Sequence, residues 1–247
     1  MADSHSPSSW LERPLGDLVM EHSQAATIFE RFGLDYCCHG HQTLTEAARE
    51  RGVAVDEVLN ALASPGGPQV ETSHAFGSAD LDSVTRHIVE HHHRNVREMT
   101  PAITRWLDKL VLRHGTRHPE LTEVRATFDQ LGHALLAHMA KEENILFPFI
   151  DAMAVALREG GRLPSGPFGT VLNPVRVMEE DHRLAGELLT TLRALTKGFT
   201  PPPDGCATFV LCYLELARYT ADLHRHIHLE NHVLFPRALD LERTLVS

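Results

Sequence analysis

Two stretches of this 247-residue chain have the residue types and spacing to hold a metal. HMAKEENILFP (138–148) and HIHLENHVLFP (226–236) each place a histidine four residues before a glutamate and end on Leu-Phe-Pro, and they lie 226 − 138 = 88 residues apart. Residues at i and i+4 of a helix have Cβ atoms about 5–6 Å apart, so one imidazole and one carboxylate can ligate the same ion or neighbouring ions. Two such pairs facing each other suit a dinuclear site. Imidazole with carboxylate favours iron, manganese or zinc over calcium.

The apolar pattern around these pairs says where they point. Val124, Phe128, Leu131, Leu135, His138, Glu142, Ile145 and Phe149 alternate steps of four and three, which puts His138 and Glu142 inside an apolar seam. Cys212, Leu216, Tyr219, Leu223, His226, Glu230 and Val233 do the same. A third segment, Val175, Met178, His182, Ala185, Leu189 and Leu192, turns His182 inward, with Met178 filling core space. A fourth, Val89, His93, Val96, Ile103, Leu107 and Leu110, offers His93. His92 competes for the inward position, and the repeat decides for His93, since 182 − 93 = 89 and both histidines precede arginine. A lone histidine is more often a surface or hydrogen-bonded core residue. Four histidines and two glutamates on inner stripes are different, because ionised carboxylates in a bundle core are costly unless a cation compensates them. If both glutamates and an oxo or hydroxo group bridge two six-coordinate irons, about one position per iron stays open for a diatomic ligand.

The elements that must carry these stripes are helical. From Leu81 onward a 3.6-residue period dominates, with breaks near HGTRHPE, REGGRLPSGPFG and KGFTPPPDG and no strand pattern. The fold class expected is all-α, an up-down four-helix bundle preceded by a small helical domain. Residues 14–62 read as three short helices broken at Gly33, Gly40 and Gly52, and ASPGGPQVETSHAFGSAD reads as a linker. The domains expected are 12–63, a linker 64–79, and 80–243.

Composition removes other classes. A net charge of −10 with dispersed Lys and Arg argues against nucleic-acid binding. No basic leader and no apolar run of about 18 residues is present, so no membrane partner is expected and the default location is the cytoplasm. Eighteen histidines with only four cysteines, Cys37, Cys38, Cys206 and Cys212, place any metal on histidine and carboxylate rather than in a CxxC site.

The pattern His93, His138-x-x-x-Glu142, His182 and His226-x-x-x-Glu230 resembles the hemerythrin-like domain. LDYCCHGHQTL, EENILFP and ENHVLFP resemble one branch of it, the di-iron repair of iron centres proteins, and the likeness runs from about residue 12 to about 240. It implies that His93, His138, Glu142, His182, His226 and Glu230 hold two non-haem iron ions, bridged by the glutamates and an oxo or hydroxo group. It also implies a cytoplasmic stress-response protein that protects or repairs iron–sulfur clusters damaged by nitric oxide or oxidants. Its partners would be damaged iron–sulfur proteins and, as small ligand, nitric oxide or oxygen. Nitric oxide reductase activity at the di-iron centre and iron release to damaged clusters both stay open, as does a homodimer. The reading from another class is a non-enzymatic oxygen or nitric oxide sensor or carrier. Oxygen-carrying hemerythrins are similar but have five histidine ligands and an aspartate where Glu230 stands.

The neighbouring Cys37 and Cys38 are a redox or iron-transfer pair on one reading and two reduced cysteines in a turn on the other. A disulfide between adjacent residues would be strained. The family usually has Cys-Cys-Gly-Gly, and His39 replaces the first glycine here. Cys212 reads as core, and Cys206 carries no role. Glu143, Glu179, Glu180 and Asp181 adjoin ligands and read either as groups that orient the histidine rings or relay protons or, the commoner outcome, as solvated helix-face charges. His87, His91 and His92 read as mostly exposed.

Overall fold

The computed structural model describes residues 7–22, 24–64 and 74–246, and these are helical, with no strand among them. Most of the expected linker, residues 65–73, lies outside the described residues. Two compact bodies are present: Met1–Asp80 with His224–Arg237, and Leu81–Leu223 with Ala238–Ser247. In this division residues 224–237, placed by the sequence reading within 80–243, group with the N-terminal residues.

Among the described residues before Asp80, the first body has four short α-helices, α1 (Leu15–Glu21), α2 (Ala25–Phe32), α3 (Leu44–Arg51) and α4 (Val55–Ala63), and the single turn α5 (His74–Gly77). The sequence suggested three helices over 14–62. The additional break follows α1, where His22 is already extended. Gly33 and Gly52 end α2 and α3 in the left-handed conformation, with φ of 71° and 67°, which costs glycine little because it lacks a Cβ. Thr43 opens α3 through a capping box with Glu46. Backbone hydrogen bonds from Leu15 to the Gln42 carbonyl and from Gly16 to the Gly40 carbonyl, both 2.9 Å, tie α1 to the turn that carries Cys37 and Cys38.

The second body is the helical bundle. Its long helices are α7 (Arg94–His114), preceded by α6 (Leu81–His87), α8 (Glu120–Lys141), continued by α9 (Phe147–Glu159), and α10 (Leu172–Leu195). The fourth is α11 (Ala207–Leu229), which crosses into the first body at His224 and is followed by α12 (Phe235–Val246). Helix α8 packs against both α7 and α10. Tyr219 of α11 meets the Thr100 hydroxyl of α7 at 2.8 Å and the Phe128 ring of α8 edge-on at 5.5 Å. The breaks expected in the sequence fall between these helices.

Three π-helical turns interrupt the bundle helices: Ile88–His93, Glu142–Leu146 and Glu230–Leu234. Each contains or begins at a candidate ligand, and two are 230 − 142 = 88 residues apart. In the two repeats the turn ends just before Phe-Pro. Pro148 and Pro236 cannot donate to the carbonyl four residues back, and their rings crowd it, so the ladder widens before them. A π turn inserts one residue and moves the apolar stripe by about 100°. Ile145, expected inward, is therefore 47% exposed, whereas Leu146 and Ile150 are buried. The same shift leaves Val89 half-buried and puts Ile88 in the core, so the inner stripe steps by five from Ile88 to His93.

Candidate metal centre

Within the second body the structure brings together His93, His138, Glu142 and His182, which are at most 3% exposed. Glu142 Oε2 lies 3.2 Å from His93 Nε2 and 3.2 Å from His138 Nε2, and His138 Nε2 lies 3.2 Å from His182 Nε2. Nitrogen ligands about 2.1 Å from one ion at right angles would stand about 3.0 Å apart, so these separations are those of neighbouring ligands on a cation. Glu142 is fully buried, and neither of its oxygens receives a well-directed hydrogen bond. A carboxylate so placed is costly in an apolar core, and a cation between it and the imidazoles would compensate that cost. The residues fit a metal. In the first body His226 Nε2 and Glu230 Oε1 repeat the pairing at 3.0 Å, both buried.

The outer nitrogens of two of these histidines are held by carboxylates. His93 Nδ1 is 2.6 Å from Glu143 Oε1, which also accepts from Arg97 at 2.7 Å. His138 Nδ1 is 3.2 Å from Asp181 Oδ2, which accepts from Lys141 at 2.6 Å. A carboxylate on Nδ1 keeps the proton there and turns the Nε2 lone pair inward, the tautomer a metal requires. The hydrogen bond to His138 lowers the Asp181 carboxyl to about 2, against partial burial and with help from Lys141. Burial pushes Glu143 upward, but its bonds to Arg97 and His93 outweigh this and keep it below the usual carboxylate range. Phe147 stacks on His93 with ring centroids 5.8 Å apart. Glu143 and Phe147 also line an open cleft of about 410 Å³ with Asp82, Glu90 and Asp151.

Of the two readings for the acidic neighbours, solvated charge describes Glu179 and Glu180, which are exposed, and the ring-orienting alternative describes Glu143 and Asp181. The expectation that His92 is mostly exposed is corrected, since it is 8% exposed with Nδ1 3.0 Å from Asp222. Cys212 is core, and burial pushes its thiol up to about 12. Cys206 is exposed, 3.3 Å from His114 Nε2.

Sequence reasoning passed over the second face of HIHLENHVLFP. His228 and His232 are also four apart, about 200° round the helix from the His226 and Glu230 pair. Their rings stack with centroids 4.5 Å apart, and Tyr36 meets His228 edge-on at 5.5 Å. Burial first, then the neighbouring His232, lowers His228 to about 3, so it is neutral at physiological pH. The His232 ring occupies a notch formed by Gly16 and Gly40, where a Cβ on either glycine would collide with it. Asn231 Nδ2 donates to the Cys37 carbonyl at 3.1 Å. The only hint of this in the sequence is the excess of histidine in the second repeat.

Residues 84–238 match the hemerythrin HHE cation binding domain, and residues 11–65 match the ScdA_N domain, a domain of unknown function (DUF542). The chain is 33% identical over 231 residues to the iron-sulfur cluster repair protein YtfE of Escherichia coli O1:K1 and to that of Escherichia fergusonii, covering 94% of this chain and 98% of each relative. The chain belongs to this hemerythrin-like repair family. Membership agrees with the helical bundle and the small N-terminal helices and implies iron as the cation of the histidine and glutamate cluster. Among the described residues no helix is long and apolar enough to cross a membrane.

Proposed function

We propose that the chain repairs or protects iron–sulfur clusters damaged by nitric oxide or oxidants, acting in the cytoplasm on damaged iron–sulfur proteins. In this reading His93, His138, Glu142, His182, His226 and Glu230 hold two non-haem irons, with both glutamates and an oxo or hydroxo group bridging. The observation that carries the metal reading is the buried Glu142 carboxylate, 3.2 Å from two imidazole nitrogens and without a directed hydrogen bond. The 88-residue repeat and the HHE match over 84–238 support adding His226 and Glu230 to the same centre. The names of the relatives support the repair role.

Bound iron would supply redox chemistry and coordination positions open to nitric oxide or oxygen. The chain's own groups prepare that site. Glu143 and Asp181 retain the Nδ1 protons of His93 and His138 and so direct both Nε2 lone pairs inward. Arg97 and Lys141 neutralise those carboxylates, and Phe147 shields the face of His93 from water. Cys37 and Cys38 enter the proposal as redox or iron-transfer groups of the small domain.

The test is anaerobic metal analysis with optical spectra before and after reduction and addition of nitric oxide, beside reactivation of a nitric-oxide-damaged iron–sulfur enzyme. Two irons per chain, a ferrous-nitrosyl spectrum and reactivation that fails for Glu142→Ala are expected. Multiple-turnover nitrous oxide production would assign reductase activity, and tight nitric oxide binding without turnover or reactivation would favour the sensor or carrier. Zinc, or iron indifferent to nitric oxide, would overturn the mechanism.

A further inference from the structure

The first body contains a second group of metal-ligating atoms that the histidine and glutamate centre does not use. In the turn after α2, an Asp35 carboxylate oxygen, Cys37 Sγ and Cys38 Sγ lie within 4.8 Å of one another. Neither cysteine is joined in a disulfide, and their sulfurs are 3.7 Å apart. A disulfide requires about 2.05 Å between sulfurs. Two thiolates on one tetrahedral ion, each about 2.3 Å from it, stand about 3.8 Å apart. The separation in the turn is that of a tetrahedral edge. Asp35 Oδ1 is 3.1 Å from Cys37 Sγ, where a tetrahedral ion would place oxygen and sulfur about 3.5 Å apart, so a small opening of the turn completes a face.

The turn is built rather than loose. Asp35 Oδ1 accepts from the Cys37 and Cys38 amides at 3.1 and 2.9 Å, and Asp35 Oδ2 is 2.8 Å from His39 Nδ1. Tyr36 is fully buried with its hydroxyl 2.9 Å from Glu30, Asn231 holds the Cys37 carbonyl, and Gly40 lies against the His232 ring. One side of the turn is open, because Cys38 is half-buried and His39 exposed while Cys37 is buried.

We propose that Asp35, Cys37 and Cys38 form a second cation site, confined to the small domain, for a thiophilic divalent ion of the zinc or ferrous class. Two thiolates and one carboxylate supply three ligands, and the fourth position faces solvent, which makes the ion exchangeable rather than structural. Two thiols lose their protons as the ion enters, so each cation releases two protons. The His39 ring on Asp35 Oδ2 orients the carboxylate, giving a purpose to the residue that departs from Cys-Cys-Gly-Gly.

The experiment uses the full chain loaded with iron and carrying Cys206→Ser to remove the exposed thiol, titrated with Cd²⁺ as the probe. Cadmium–thiolate charge transfer in the ultraviolet reports sulfur ligation, which the histidine and glutamate centre cannot produce, so this result is independent of the di-iron reading. Expected are one cadmium per chain with the thiolate band, two protons released, competition by Zn²⁺, and loss of the band in Cys38→Ala. Asp35→Asn, whose amide oxygen can still accept from both backbone amides, should weaken binding by about 10–100-fold. Helicity and iron content check that both variants fold, and Cys37→Ser provides an independent second removal of sulfur. A band that survives in both cysteine variants, or no band in the folded parent, would overturn the site.

Discussion

The repeats 138–148 and 226–236 share a histidine, a glutamate, a π turn and a Phe-Pro start to the next helix, yet their other faces do different work. At the fifth offset Glu143 answers to Asn231. Glu143 holds the outer nitrogen of His93, and Asn231 holds the Cys37 carbonyl. At the sixth, Asn144 answers to His232. Asn144 bonds back to the Ala140 carbonyl at 2.6 Å, and His232 fills the Gly16 and Gly40 notch. The lesson is that a histidine and glutamate pair and its helix geometry can be duplicated as a unit, while the residues that follow the glutamate are free to serve whatever packs against them.

The comparison breaks hardest at the shared part. Glu142→Ala removes the carboxylate between two imidazoles and should abolish stoichiometric iron, read by metal analysis, while helicity by circular dichroism is kept. Next is the notch. Gly16→Ala puts a methyl group into the His232 ring and should destabilise the chain by about 1–3 kcal/mol in denaturant unfolding, with most of the loss recovered when His232→Ala is added.

Glu143→Gln tests the outer partner of the first repeat. It should weaken iron binding by about 10–100-fold in a chelator competition without lowering the folding stability of the metal-free chain. The Asn231→Ala change at the matching offset should instead cost about 1 kcal/mol of stability through the Cys37 carbonyl.

Acid unfolding probes the turn itself. Although burial raises the Asp35 carboxyl, its bonds from His39 and the Cys38 and Cys37 groups lower it to about 2 from 3.8. The folded value lies below the unfolded one, so this stabilisation is complete above pH 3.8 and disappears as pH falls toward 2. Asp35→Asn should remove about 2 kcal/mol of pH-dependent stability across that window. The smallest effect expected is that of Asn144→His, which copies His232 onto an exposed position and should change stability by less than about 0.5 kcal/mol.

By itself the sequence determined the helical class, the breaks between the bundle helices and the inward direction of His93, His138, Glu142 and His182. Each of those depends on a period of 3.6 residues and on local turn chemistry, which neighbouring residues carry in full. Only the tertiary structure decided that Ile145 turns outward and Leu146 inward, because a π turn adds a residue that a fixed period cannot anticipate. The two repeats carry a proline as a local sign of that turn, whereas no proline follows closely on Ile88–His93. Only the tertiary structure, too, gave Glu143 and Asp181 their histidines, buried His92 against Asp222, and set Asn231 and His232 on the cysteine turn. Those partners lie from 43 to 194 residues apart where a hydrogen bond joins them, and a polar side chain on a helix reads the same in sequence whether water or a distant carboxylate completes it.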